Sequence, residues 1–153
     1  MDEFTVIIDT REQNPWKIKH HTTAVEKLDT GDYSIDGMQD ILCIERKQSI
    51  SEFVNNMSEK RFKDVLTRMQ SYKYKYIIFE FNFSDVMNFP VGSTIPRRVW
   101  SKLRISPNYI IKYISDILTI YGIPVLFCDS ATGAEKAAMS IMRRIYEYEK
   151  KSL

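Results

Sequence analysis

Gly31-Asp32-Tyr33-Ser34-Ile35-Asp36 and, after a short turn, Ile41-Leu42-Cys43-Ile44-Glu45-Arg46-Lys47 form the stretch that decides how this chain folds. Residues 41–44 are apolar and partly β-branched, as in a buried strand. Alternate residues of a strand share a face, so Glu45 and Lys47 point one way and Arg46 the other. The turn around Gly37 brings the preceding strand alongside, so that Asp32 reaches the face of Glu45. Two carboxylates and one ammonium thus converge at a strand end.

That convergence suits metal-dependent phosphodiester hydrolysis. Two hard oxygen ligands hold Mg²⁺ while leaving several of its waters in place. The ion activates a water and offsets charge growing on the phosphate. Lys47 orients or polarises the attacking water and stabilises the charge beside it. An acid, a gap of roughly a dozen residues and Glu-x-Lys is the pattern of PD-(D/E)xK nucleases. Alone the pattern is weakly specific, because Glu-x-Lys also occurs on ordinary solvated strand edges.

The 153 residues, 44% of them hydrophobic, suit one domain with its own core. A net charge of +2 says little about partners, so local charge has to carry that argument. The sequence shows neither a membrane-length apolar run nor a secretory signal, and an intracellular protein is expected. Cys43 and Cys128 lie in apolar runs and read as reduced, buried thiols rather than a disulfide or a metal pair.

From the N-terminus, Phe4 to Ile8 reads as a strand ending in Asp9-Thr10-Arg11-Glu12. Glu12 is the candidate third carboxylate near the metal and Asp9 the second choice. The alternative is an N-cap for the following turn with a surface ion pair. His20 and His21 read as exposed loop residues, and residues 22–28 as a short helix capped by Thr22 or Thr23. Beyond Lys47 the apolar period lengthens to 3.6. Ile50, Phe53, Val54 and Met57 make one stripe, and Phe62, Val65, Leu66 and Met69 a second. Ser49 or Ser51 can cap the first helix, and Arg61 lies close enough to the hairpin to contact a phosphate. Residues 76–81 read as a buried strand whose one charge, Glu80, is either paired within the fold, the preferred structural role, or sits at the strand's exposed end. Residues 86–115 contain no acid and carry Arg97, Arg98, Lys102, Arg104 and Lys112 among Trp100, Tyr109 and Tyr113, a mixture suited to nucleic acid. The other reading makes those aromatics core and the cations solubilising. Residues 107–121 form an amphipathic helix buried through Ile110, Ile111, Ile114, Ile117 and Leu118. Residues 124–127 form another buried strand, and residues 134–148 a last helix. Strands first, then alternating helices and strands, give an α/β fold with a mixed central sheet flanked by helices.

Taken together, Val6-Ile7-Ile8-Asp9-Thr10-Arg11-Glu12, Gly31-Asp32-Tyr33 and Ile44-Glu45-Arg46-Lys47 resemble the nuclease domain of the XPF family. Its signature is Gly-Asp, a variable gap, Glu-Arg-Lys, then three residues and an Asp. The resemblance continues through Arg61-Phe62, Ile77-Ile78-Phe79-Glu80 and, more loosely, Tyr121-Gly122-Ile123-Pro124-Val125. It implies a restriction-endonuclease-like fold and Mg²⁺- or Mn²⁺-dependent cutting of branched DNA at flaps, forks or duplex–single-strand junctions. By position, it makes Asp32 and Glu45 metal ligands, Lys47 the catalytic lysine, and the Arg46 carbonyl an inner-shell group. Asp9, Arg11 and Glu12 border that site.

Two departures stand out. The family's Asp after Glu-Arg-Lys falls at Ser51, with Glu52 beside it as a possible substitute after a one-residue shift. The chain also reads as a single unit over residues 1–153 without the helix-hairpin-helix module of many relatives, closer to compact stand-alone versions from viruses and microbes. Junction preference then comes from the Arg97–Lys112 region, from the face bearing Lys60 and Arg68, or from a separate partner, and a homodimer is also compatible. The expectation is a structure-selective DNA endonuclease. Its rival is a non-catalytic DNA-binding or scaffold subunit, against which the retained, mutually costly charges of Asp32, Glu45 and Lys47 argue.

Overall fold

The computed structural model describes residues 3–151. Six strands form one mixed sheet: β1 (Thr5–Asp9), β2 (Thr22–Glu26), β3 (Tyr33–Ile35), β4 (Leu42–Lys47), β5 (Tyr74–Phe79) and β6 (Val125–Phe127), in the order β2-β1-β3-β4-β5-β6. β1 runs antiparallel to β3 and β3 antiparallel to β4, while β2 pairs parallel with β1, and β5 and β6 continue parallel from β4. The C-terminal ends of β1, β4, β5 and β6 therefore lie along one edge, where Asp9, Lys47 and Glu80 gather.

Helices cover both faces because the central strands are apolar on both sides. Cys43, Ile77 and Phe79 pack against α1 (Ile50–Met57), α2 (Lys60–Met69) and α4 (Pro107–Thr119), which carry Phe53, Phe62, Leu66, Ile110 and Ile117. Ile44, Ile78, Tyr33 and Ile35 face α5 (Ala131–Lys151), whose Ala134, Ala138, Met142 and Ile145 recur at helical spacing. A short α3 (Phe83–Met87) and a 3₁₀ segment (Arg97–Lys102) complete the α1 side. The Ser49 side chain accepts from the Glu52 N–H and starts α1; Ser58 ends that helix, and the extended Glu59 precedes α2, so the chain restarts a second helix there. Among the described residues no helix is long and apolar enough to cross a membrane.

Several expectations change. Residues 22–26 form strand β2 instead of a helix: main-chain pairing with β1 overrides the helix pattern, and all five side chains stay exposed. Leu118 is exposed, leaving Ile110, Ile114 and Ile117 as the buried stripe of α4, and β6 is only half-buried because it ends the sheet. His20 is exposed, but His21 is half-buried with its ring 4.7 Å from Phe4.

Gly31 sets the geometry that follows. Its φ of +89° suits glycine, and a Cβ there would come within 2.7 Å of the Cys43 Sγ and 3.0 Å of the Ile44 carbonyl. Gly31→Ala should destabilise the fold by about 2 kcal/mol or more, read from the midpoint of urea unfolding. An unchanged midpoint would show that this close approach is not needed.

Candidate active site

Asp32 is fixed by main chain before any ion is considered. Its N–H donates to the Ile44 carbonyl at 2.7 Å, and its carbonyl accepts from the Asp9 N–H at 2.9 Å. Its carboxylate accepts from the Arg46 N–H at 2.8 Å. The side chain is thereby held at the end of β4, half-buried and opening into a cleft of about 500 Å³. Glu45 and Lys47 reach the same cleft from alternate positions of β4, with Lys47 Nζ 2.9 Å from Glu45 Oε2. The Lys47 ammonium also lies 4.7 Å from the centre of the Phe62 ring, so packing from α2 limits its freedom. Burial and the neighbouring Glu45 carboxylate hold the Asp32 carboxyl well above the usual carboxylate range, with Glu12 adding to the repulsion.

Arg46 takes the opposite face, as the strand period requires. Its Nε donates to Glu80, Nη1 donates to the Asn14 carbonyl at 2.6 Å, and the Glu12 carboxylate lies 3.3 Å away. Trp16 Nε1 donates to the same Glu80 at 2.6 Å, and the Trp16 ring stacks on Tyr33 at 4.3 Å. Glu80 is thus a structural carboxylate, the role preferred for the one charge of that strand.

The rim residues divide by partner. Glu12 lines the cleft but faces the Arg46 guanidinium, and Asp9 accepts from Arg11 Nε at 2.8 Å and from the Leu28 N–H at 2.8 Å. Those bonds and the Arg11 charge outweigh burial and keep the Asp9 carboxyl below its usual range. Ser51, at the position where an acid was expected, accepts from the Thr94 N–H at 2.9 Å and ties the segment after Pro90 to α1. Glu52 lines the cleft and accepts from the Gln48 N–H at 3.0 Å.

Arg61 lines the cleft, as expected, with Glu59 3.5 Å away. Arg97, Arg98, Lys102 and Arg104 do not line it; they are exposed on and just after the 3₁₀ segment, where Arg97 lies over Trp100 at 5.5 Å. Arg68, on the basic face expected to bear on junction preference, also lines the cleft and donates from Nε to Thr30 Oγ1 at 2.9 Å. One contributor escaped the sequence reading: Trp16 carried no signal, because its partner Glu80 is 64 residues away.

Among the described residues no three acidic, His or Cys side chains converge closely enough to hold a metal ion by themselves. Two carboxylates, one of them raised by the other, nevertheless fit Mg²⁺ or Mn²⁺, which need only one or two carboxylates and retain several waters.

The comparisons with known proteins agree with this architecture. XPF from Aeropyrum pernix is similar over 93% of this chain, with a TM-score of 0.69 and 20% identity. XPF from the same organism in complex with DNA is similar over 95% of this chain, with a TM-score of 0.70 and 20% identity. The chain spans 65% and 66% of the length of those two structures. At this identity the likeness carries the fold, which is restriction-endonuclease-like. No curated protein sequence matches the chain significantly. Residues 8–136 match the family model described as the ERCC4 domain, and the chain belongs to that family, the XPF-type nuclease family its Gly-Asp and Glu-Arg-Lys motifs resemble.

Proposed function

We propose that the protein is a structure-selective DNA endonuclease dependent on Mg²⁺ or Mn²⁺. The observation that carries this reading is the convergence of Asp32, Glu45 and Lys47 in one cleft at the C-terminal end of β4. Asp32 and Glu45 would hold the ion, and the Arg46 carbonyl would complete the protein share of its shell. When bound, the ion supplies Lewis-acid stabilisation of the phosphate and a more acidic water. Lys47 orients the attacking water and steadies the charge developing on the scissile phosphate. Glu12 borders the site while holding Arg46, and Glu52 is the acid available at the cleft in place of the family's Asp.

Cations for the nucleic-acid backbone flank this centre. Arg61 and Arg68 stand on the α2 wall, and Arg11 on the β1 side. Arg97, Arg98, Lys102 and Arg104 are reached through the Ser51–Thr94 bond, which anchors the preceding loop to α1. These side chains read charge and shape rather than base sequence, and that suits selection of a flap or fork. A homodimer or a separate protein partner is compatible with the same arrangement.

The direct test is cleavage of labelled flap, fork, bubble and plain duplex DNA with Mg²⁺ or Mn²⁺. Cutting near the junction, lost in Asp32→Asn, is the expected result. Binding without cutting in either metal would favour a scaffold subunit.

Lys47→Ala should lower the cleavage rate by at least about 100-fold, on the scale of losing one stabiliser of developing charge, while affinity for forked DNA stays within a few-fold. Loss of binding instead would assign Lys47 to substrate capture. Replacing Arg97 and Arg98 by alanine should weaken binding and reduce its salt slope by about 1 to 2, measured by fluorescence anisotropy. Unchanged binding would make that segment structural.

Asp32 also predicts a pH effect in chelator. A carboxyl raised in the folded state is fully compatible with folding below the unfolded value of about 4. It costs stability as pH rises from there through the raised folded value. Asp32→Asn keeps an acceptor for the Arg46 N–H and removes the charge. Its stability relative to the unaltered chain should therefore increase with pH above about 4, as measured by thermal melts. A difference independent of pH would contradict the burial and repulsion described.

A further inference from the structure

A second cavity, of about 700 Å³, opens on the α5 side of the same sheet edge, and Arg46 lines both it and the catalytic cleft. It exists because of an unusual connection. Parallel neighbours such as β1 and β2 are ordinarily joined by a helical crossover, but residues 10–21 here form no helix and no strand. The flank of the sheet beside the start of α5 is consequently left open.

The irregular connection is nevertheless held firmly. Trp16 is buried, donates from its N–H to the Tyr33 hydroxyl at 2.8 Å and from Nε1 to Glu80, and the Asn14 carbonyl accepts from Arg46. From this anchored backbone Lys17 and Lys19 project beside the cavity, and Lys136 reaches it from α5. All three are exposed, and among the described residues none forms an ion pair. Among the described residues Glu135 is the one carboxylate in the cavity wall, in contrast to the many acids of the neighbouring cleft. Three unmatched ammonium groups on a fixed backbone form a preorganised acceptor for spaced phosphates: lysine binds phosphate as a point charge, and each neutralised phosphate releases counterions.

We infer that Lys17, Lys19 and Lys136 form a second phosphate-backbone site that holds the DNA arm not being cut. This inference rests on the nuclease reading and adds the source of its junction selectivity. A strand crossing the acidic cleft on one side of Arg46 leaves a branch free to turn across the sheet edge into the basic cavity on the other side. An unbranched duplex has one direction of travel and cannot fill both.

The test uses the full chain with Lys17, Lys19 and Lys136 all replaced by alanine, which removes exposed charges without touching the core. Affinities for fluorescein-labelled forked DNA and for plain duplex are read by anisotropy across a salt series in Ca²⁺, with cleavage followed separately in Mg²⁺. The expected result is about a tenfold or greater loss on forked DNA and a salt slope smaller by about 2 to 3, with duplex affinity within twofold. Equal losses on both DNAs would make the lysines a general electrostatic surface and overturn the inference. Unchanged affinity on both would also overturn it, and would leave this surface to an acidic protein partner. If the unaltered chain binds and cuts forked DNA while the variant matches it, this inference alone fails. If the unaltered chain binds no DNA, the nuclease reading fails with it.

Discussion

The structure depends on how Arg46 is bound. Its main-chain N–H fixes the Asp32 carboxylate, while its guanidinium is matched by Glu80, Glu12 and the Asn14 carbonyl. One residue therefore joins the β3–β4 hairpin, the end of β5 and the irregular segment after β1. A buried cation with this many partners is costly to disturb: leaving one of its carboxylates unpaired costs about 3–5 kcal/mol. The strand period makes the arrangement productive, because sending Arg46 toward α5 sends Glu45 and Lys47 together into the cleft. Structure and chemistry occupy opposite faces of the same three-residue run.

The chemistry follows from that separation. Burial and the Glu45 carboxylate oppose the ionisation of Asp32, and the Lys47 ammonium beside them is already on Glu45. The cleft thus presents an unfinished charge balance that a divalent ion would complete, with Arg61 and Arg68 on its α2 wall. Ser51 shows how the chain has changed one part of the pattern. The Ser51 hydroxyl secures the Thr94 N–H and with it the approach to the basic 3₁₀ segment, while the neighbouring Glu52 lines the cleft.

Much of this was legible in the sequence because it rests on short-range rules. Alternation along residues 42–47 placed Glu45, Arg46 and Lys47 on their faces, and the 3.6 period located α1, α2, α4 and α5. The misreadings arose where long-range pairing decides. Residues 22–26 carry too few apolar residues to announce a strand, and they become one only because β1 offers its edge. Leu118 fits the helical stripe of α4 by period, yet it is exposed while its neighbour Ile117 is buried. The roles of Glu12 and Glu80 could be framed only as alternatives, since their common partner Arg46 is 34 residues from each. The second basic cavity was invisible for the same reason: Lys17, Lys19 and Lys136 meet only when residues 10–21 fold back beside α5.

The most direct measurement is calorimetric titration of Mn²⁺ into the metal-free protein, alongside Asp32→Asn and Glu45→Gln. Saturable binding to the unaltered chain and its loss in both variants, with their folded circular-dichroism spectra retained, is the expected result. Equal binding to all three proteins would place the ion elsewhere and contradict the assignment of Asp32 and Glu45 as the metal-holding pair.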